Sequence, residues 1–262
     1  MLGEDGLEDL NPALLATALG GDSSNLANIL PSLNQVQQIA QVNTVTPQCA
    51  NPATETPLTK ARLDQIYAQQ IAAGVNLRAT SALAFEDFAL STIKPGRTIP
   101  RNTKKFDSPA RDAIEGIRNV VPDGVTELTV FNPLPRIFNE SIFYEAKAIR
   151  PGITNLEPSY ENSQILGFLD ALGKTPAAIA RENPAIVFIN TADISRISSA
   201  TVNLATRQNI GVYHAIGCEI TNSPGSLRIG RAELTNPQVY INTRRVPTNA
   251  GGPGTIDTLR FS

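Results

Sequence analysis

Five consecutive apolar residues, Ala185-Ile-Val-Phe-Ile189, lie between Pro184 and Asn190. A short run with no polar interruption reads as a strand buried on both faces. Such a strand needs strand neighbours in its sheet and a helical layer above and below. The flanking sequence supplies them. Thr80 can cap a helix that runs to about Thr92, with Leu83, Phe85, Phe88, Ala89 and Leu90 apolar. A Pro/Gly/Arg-rich loop follows over residues 95–109. Residues 125–131 alternate as a strand, Asn132-Pro-Leu-Pro135 turns the chain, and residues 142–149 return. Ser159 precedes a helix over 160–173, with Ile165, Leu166, Leu169 and Leu172 on one face. After the apolar strand come a helix over 194–208 and a strand over 212–220. The order helix, strand, strand, helix, strand, helix, strand belongs to the α/β class. Residues 221–262, rich in Pro, Gly, Asn and Thr, predict short strands and loops.

Composition divides the 262-residue chain near residue 80. Residues 1–80 hold three basic and seven acidic side chains, so the overall charge of −2 conceals a mildly basic remainder. Over residues 10–45, Leu14, Leu15, Leu19, Leu26, Leu30, Leu33, Val36 and Ile39 recur at helical spacing, interrupted at Gly20-Gly21 and Pro31. Residues 43–58 read as a linker, and a further helix covers 60–73 until Gly74 stops it. The expected division is therefore a helical, low-complexity segment over 1–79, suited to docking or delivery, and one α/β domain over 80–262.

Several classes of function are excluded. No run reaches the roughly 20 apolar residues of a membrane-spanning helix. The acidic start (Glu4, Asp5, Glu8, Asp9) lacks the basic n-region of a secretory signal. Cys49, Cys218 and His214 are the only cysteines and histidine, too few for a four-ligand zinc site. His214 sits in an apolar run and reads as a packed residue. The two cysteines form no disulfide framework and are expected to be free, buried thiols. Gly173-Lys174-Thr175 follows a helix instead of opening one, so it reads as a helix stop. Ser91-Thr-Ile-Lys94 matches S-x-x-K only formally, at a helix end before Pro95.

Chemistry concentrates in Val121-Pro-Asp-Gly124 and Tyr144-Glu-Ala-Lys-Ala148. Glu145 and Lys147, two apart on a strand, share a face, and a paired strand can bring Asp123 beside them. Two neighbouring carboxylates cannot both ionise cheaply without a cation between them. Magnesium, or manganese in its place, suits carboxylate oxygen plus water. A lysine beside them can orient or activate an attacking water, which suits phosphodiester hydrolysis. The bland reading remains beside this one: Pro-Asp-Gly is a common turn whose glycine takes positive φ, and Glu-x-Lys a common solvated strand face.

Pro122-Asp123 with Glu145-Ala146-Lys147 resembles the PD-(D/E)XK nuclease superfamily, and residues 198–213 resemble the late helix and strand of restriction-nuclease-type toxin domains of bacterial effectors. The resemblance spans about residues 80–220. It implies a restriction-endonuclease-like core, a central mixed sheet flanked by helices. It also adds two residues: Glu86, in Ala84-Phe85-Glu86, like the glutamate of the family's preceding helix, and Gln164, with Phe168 where the family has tyrosine. On this resemblance Asp123 and Glu145 bind the metal, Glu86 completes a second metal position or holds a water, and Gln164 orients the site or touches the substrate backbone. Lys104, Lys105 and Arg111, in a basic loop with Arg97 and Arg101, are the expected contacts to the DNA backbone.

The implied function is a metal-dependent DNase toxin, made in a bacterial cytoplasm and exported without a signal peptide. It would dock on a secretion apparatus through its N-terminal segment, be held by a cognate immunity protein, and act in the target-cell cytoplasm. A housekeeping or restriction-type nuclease shares the same site. A catalytically inactive, secretion-associated interaction protein is the alternative from another class.

Overall fold

The structure, a computed structural model, describes residues 47–148, 155–156 and 163–235, except Pro95, Asn132, Pro133 and Arg231. The helices expected over 10–45, the helix start at 160–162 and the chain beyond Thr235 lie outside these residues. The first elements are β1 (Glu55–Pro57), α1 (Lys60–Ala72), α2 (Ser81–Thr92), β2 (Phe106–Asp107), α3 (Pro109–Glu115) and β3 (Asn119–Val120). Next come β4 (Gly124–Phe131), β5 (Pro135–Lys147), β6 (Asn155–Leu156), α4 (Ser163–Leu172) and α5 (Pro176–Ile179). The last are β7 (Ala185–Asn190), β8 (Arg196–Ile197), α6 (Ser199–Arg207), β9 (Gly211–Ile220), β10 (Leu227–Ile229) and β11 (Glu233–Leu234).

The apolar strand β7 is central. The main sheet runs β1-β9-β7-β5-β4, with β10 and β11 also paired to β9. Strands β5, β7 and β9 are parallel, and β4 is antiparallel to β5. The chain is thus α/β, with a mixed sheet between helices. Alternate residues divide into two cores. On one face Tyr144, Ala146, Val187, Ile189, Tyr213 and Ala215 meet Phe85, Ala89 and Leu90 of α2. On the other, Phe143, Ile186, Phe188 and Val212 meet Ile165, Phe168 and Leu169 of α4 and Leu204 and Ala205 of α6. Leu58, Leu63 and Ile66 join the first core. The break in composition near residue 80 is therefore not a break in packing.

Three local readings change. Strand β5 begins at Pro135, seven residues before the expected start. Its pairing with β4 shifts register between Thr126 and Leu128, and Glu140 has a φ of 57°. That irregularity hides the alternation in sequence. Helix α3 starts at Pro109, the last residue of the expected loop, in a stretch where no helix is expected. Ser108 caps it, Pro109 occupies its first turn and Gly116 closes it at a φ of 66°. Helix α6 starts after Ser198, whose hydroxyl accepts from the Thr201 N–H, because residues 196–197 pair with β6.

The cysteines require a correction. Cys49 and Cys218 form a disulfide across 169 residues of sequence. The short strand β1 lies antiparallel to the end of β9, with Pro57 opposite Cys218. Folding, not sequence proximity, brings Cys49 to β9. Among the described residues no helix is long and apolar enough to cross a membrane.

Candidate active site

The β4–β5 hairpin sets the site. Gly124 pairs with Tyr144 in an antiparallel register, so Asp123, just before the ladder, is level with Glu145. Asp123 Oδ2 accepts from the Ala146 N–H at 2.8 Å, which fixes the carboxylate at the strand end. Gly124 is not among the glycines with positive φ, so the turn reading of Pro-Asp-Gly does not account for it. A Cβ there would fall 2.6 Å from Leu90 Cδ2 and 2.8 Å from Ile99 Cγ2. The glycine permits close approach of α2, and that approach brings Glu86 toward the hairpin.

Glu145 and Lys147 share the face of β5 that looks toward α4, as their spacing predicts. Lys147 Nζ pairs with Glu145 Oε1 and donates to Gln164 Oε1 of α4 at 3.1 Å. Glu145 is 1% exposed. Its Oε2 is buried and has no hydrogen-bond partner among the described residues. Phe168, standing where tyrosine was expected, is fully buried and meets Phe143 edge-on at 6.4 Å. It is a core residue and takes no part in the polar cluster.

From the other side α2 presents Glu86, whose Oε2 accepts from Arg101 at 2.6 Å. Arg101 also pairs with Asp87 at 3.2 Å. The basic loop therefore does reach the site, but through Arg101, which its sequence does not distinguish from its neighbours. Lys104 pairs with Glu140 at 2.5 Å. Arg111 binds Glu115 and the Asn119 carbonyl, each at 3.0 Å. Lys105 is exposed.

The electrostatics follow from burial and crowding. Burial pushes the Glu145 carboxyl up to about 8. Lys147 opposes this rise, and the charges of Asp123 and Glu86 add to it. Asp123 is raised by burial, against the pull of the Ala146 N–H, Lys147 and Arg101. Glu86 is raised by burial and then by Asp123, with Arg101 opposing. Burial alone would lower Lys147. The carboxylates of Glu145, Asp123 and Glu86 outweigh it and hold the ammonium above its usual range. Lys147 is thus a cation at neutral pH, able to orient a water or stabilise an anion but not to take a proton.

Three carboxyls raised together, one with an orphaned buried oxygen, form a hard oxygen donor set that a magnesium-type cation fits. They do not form a closed ligand shell, since their oxygens do not all lie within 4.8 Å of one another. Each has a substitute partner: Lys147 for Glu145, Arg101 for Glu86, and a backbone N–H for Asp123. Among the described residues the group that does lie that close is Cys49, Glu55 and Cys218, whose sulfurs are tied up in the disulfide. Compared with protein-family models, curated proteins and solved structures, the chain shows no significant match.

Proposed function

We propose that this chain is a metal-dependent nuclease that hydrolyses phosphodiester bonds in DNA, built on a restriction-endonuclease-like core. One observation carries the reading. Glu86, Asp123, Glu145, Lys147 and Gln164, chosen from separate stretches of sequence, come together around the start of β4 and the end of β5.

In this mechanism Asp123 and Glu145, with Glu86 contributing, would hold a magnesium ion. Such an ion, when bound, would supply Lewis-acid polarisation of the phosphate. Lys147 donates to the attacking water or to a phosphate oxygen, and Gln164 keeps the ammonium aligned. Arg101, paired with Glu86 and Asp87, adds a cation beside the carboxylates. Asp123, tied to the Ala146 N–H, keeps its carboxylate in place as substrate arrives.

The biological reading we favour is a bacterial toxin exported from its producer and held there by an immunity protein. The disulfide supports export, because such bonds persist in oxidising compartments. One observation favours the inactive alternative: every carboxylate of the site already has a cationic or N–H partner.

The test is plasmid DNA incubated with the purified protein, with Mg²⁺ or with EDTA, beside Glu145→Ala and Lys147→Ala. The nuclease reading expects Mg²⁺-dependent cleavage that both variants lose, with Lys147→Ala still folded. No cleavage of plasmid, single-stranded DNA or RNA would move the weight to an interaction protein. Expression in a sensitive bacterium then separates toxin from restriction-type nuclease. Only the toxin harms the cell, and only until Glu145 is replaced.

A further inference from the structure

Lys147 has a cross-strand neighbour that the nuclease site does not use. In the parallel register of β5 and β7, Lys147 is paired with Asn190, and both occupy the carboxyl ends of their strands. Ligands of open α/β sheets gather at that end. Asn190 is fully buried. Its amide nitrogen meets Nε2 of His214, on β9, at 2.9 Å. Burial lowers His214 to about 4, so the ring is neutral at pH 7 and its Nε2 can accept. The amide nitrogen is thereby committed to β9. Asn190 Oδ1 has no hydrogen-bond partner among the described residues, nor have Thr191 Oγ1 and His214 Nδ1. Buried polar atoms without partners number only a few per hundred residues. Here three belong to a single strand end and its histidine. The Thr191 N–H donates to the Lys147 carbonyl at 3.1 Å, which ties that strand end to the site.

Lysine has three ammonium donors. Glu145 and Gln164 take two of them. If Glu145 ionises and turns its carboxylate to a cation, the ammonium loses its main acceptor. We propose that Asn190, with its amide orientation set by His214, is a positioning residue whose Oδ1 takes up the Lys147 ammonium once Glu145 binds the cation. This inference rests on the nuclease reading and gives the chain's only histidine a role that requires no proton transfer.

The experiment uses the full chain labelled with ¹⁵N-lysine, as wild type, Asn190→Ala, His214→Leu and His214→Gln. The rate at which Lys147 ammonium hydrogens exchange with water is measured with EDTA and with Mg²⁺. In EDTA, Glu145 and Gln164 hold the ammonium, and all four proteins should exchange alike. In Mg²⁺, Asn190→Ala and His214→Leu should exchange about tenfold faster than wild type. His214→Gln, whose amide oxygen still accepts from Asn190, should stay near wild type. Plasmid cleavage should show kcat lowered about tenfold in the first two, with KM unchanged. Equal exchange of Asn190→Ala and wild type in Mg²⁺ overturns the proposal. So does faster exchange in EDTA as well, which marks a general packing defect. If Asn190→Ala does not fold, the His214 pair gives the same decision. A wild type that neither cleaves DNA nor changes its exchange with Mg²⁺ refutes the nuclease reading itself. Cleavage by wild type with unaltered variants refutes only the role of Asn190.

Discussion

Replacing Glu145 by glutamine should make the metal-free protein more stable at high pH. The carboxyl sits at about 8 in the fold against 4.5 in an exposed chain. Every tenfold change in an ionisation constant corresponds to about 1.4 kcal/mol, so ionising this buried group costs the fold up to about 5 kcal/mol. Between these two values the folded state holds a proton that the unfolded state has released. The contribution of Glu145 to stability is therefore fullest below pH 4.5, falls as pH rises, and levels off above 8. Glutamine keeps the shape of the neutral acid and cannot ionise. Urea unfolding of wild type and Glu145→Gln, stepped from about pH 4.5 to 9 in EDTA, gives the difference directly and cancels the other titrating groups. The two proteins should be closely matched at the acid end. The variant should lead by several kcal/mol at the alkaline end. Parallel curves would refute the reasoning. A variant weaker than wild type at pH 8 and above would show that the Lys147–Glu145 pair stabilises the fold outright, against the usual cost of burying such pairs.

Other outcomes follow from the same geometry. On the nuclease reading, magnesium binding should release protons at pH 7, and fewer as pH rises through about 8, because Glu145 must ionise to bind. Calorimetry in buffers of different ionisation enthalpy measures this, and binding without release would exclude Glu145 as a ligand. Gly124→Ala places a methyl 2.6 Å from Leu90 Cδ2, so it should cost about 1–3 kcal/mol and weaken Mg²⁺ binding by displacing Asp123. Denaturant midpoints and Mg²⁺ titration read both effects. Reducing the Cys49–Cys218 bond, which closes a span of 169 residues, should lower stability by about 5 kcal/mol on chain entropy. Unfolding with and without dithiothreitol checks that value.

How legible the fold and site were differs from element to element. The central strand was plain because its five apolar residues form a short run closed by Pro184 and Asn190, and β7 is buried on both faces. Helix α2 was plain because Thr80 caps it, accepting from the Leu83 N–H at 3.2 Å. The first half of β5 was hidden, since Arg136, Asn139 and Glu140 line an exposed, irregular hairpin whose pattern follows no period of two. Ser108-Pro109 carried the signal for α3, a cap followed by proline at the first turn, inside a segment that composition marked as loop.

By itself the sequence determined the α/β layering and the shared face of Glu145 and Lys147, because hydrophobic period and strand alternation are local properties of the chain. Tertiary structure alone decided which arginine reaches the carboxylates, that the cysteines are joined, and that Asn190 lies beside Lys147. Each of these depends on contacts between residues far apart in sequence. Register, crossover and close approach at Gly124 set such contacts, and no local pattern encodes them. The same holds for the raised carboxyl of Glu145. Its residue type is written in the chain, but its burial between α4 and the sheet, which makes its charge costly, exists only in the folded molecule.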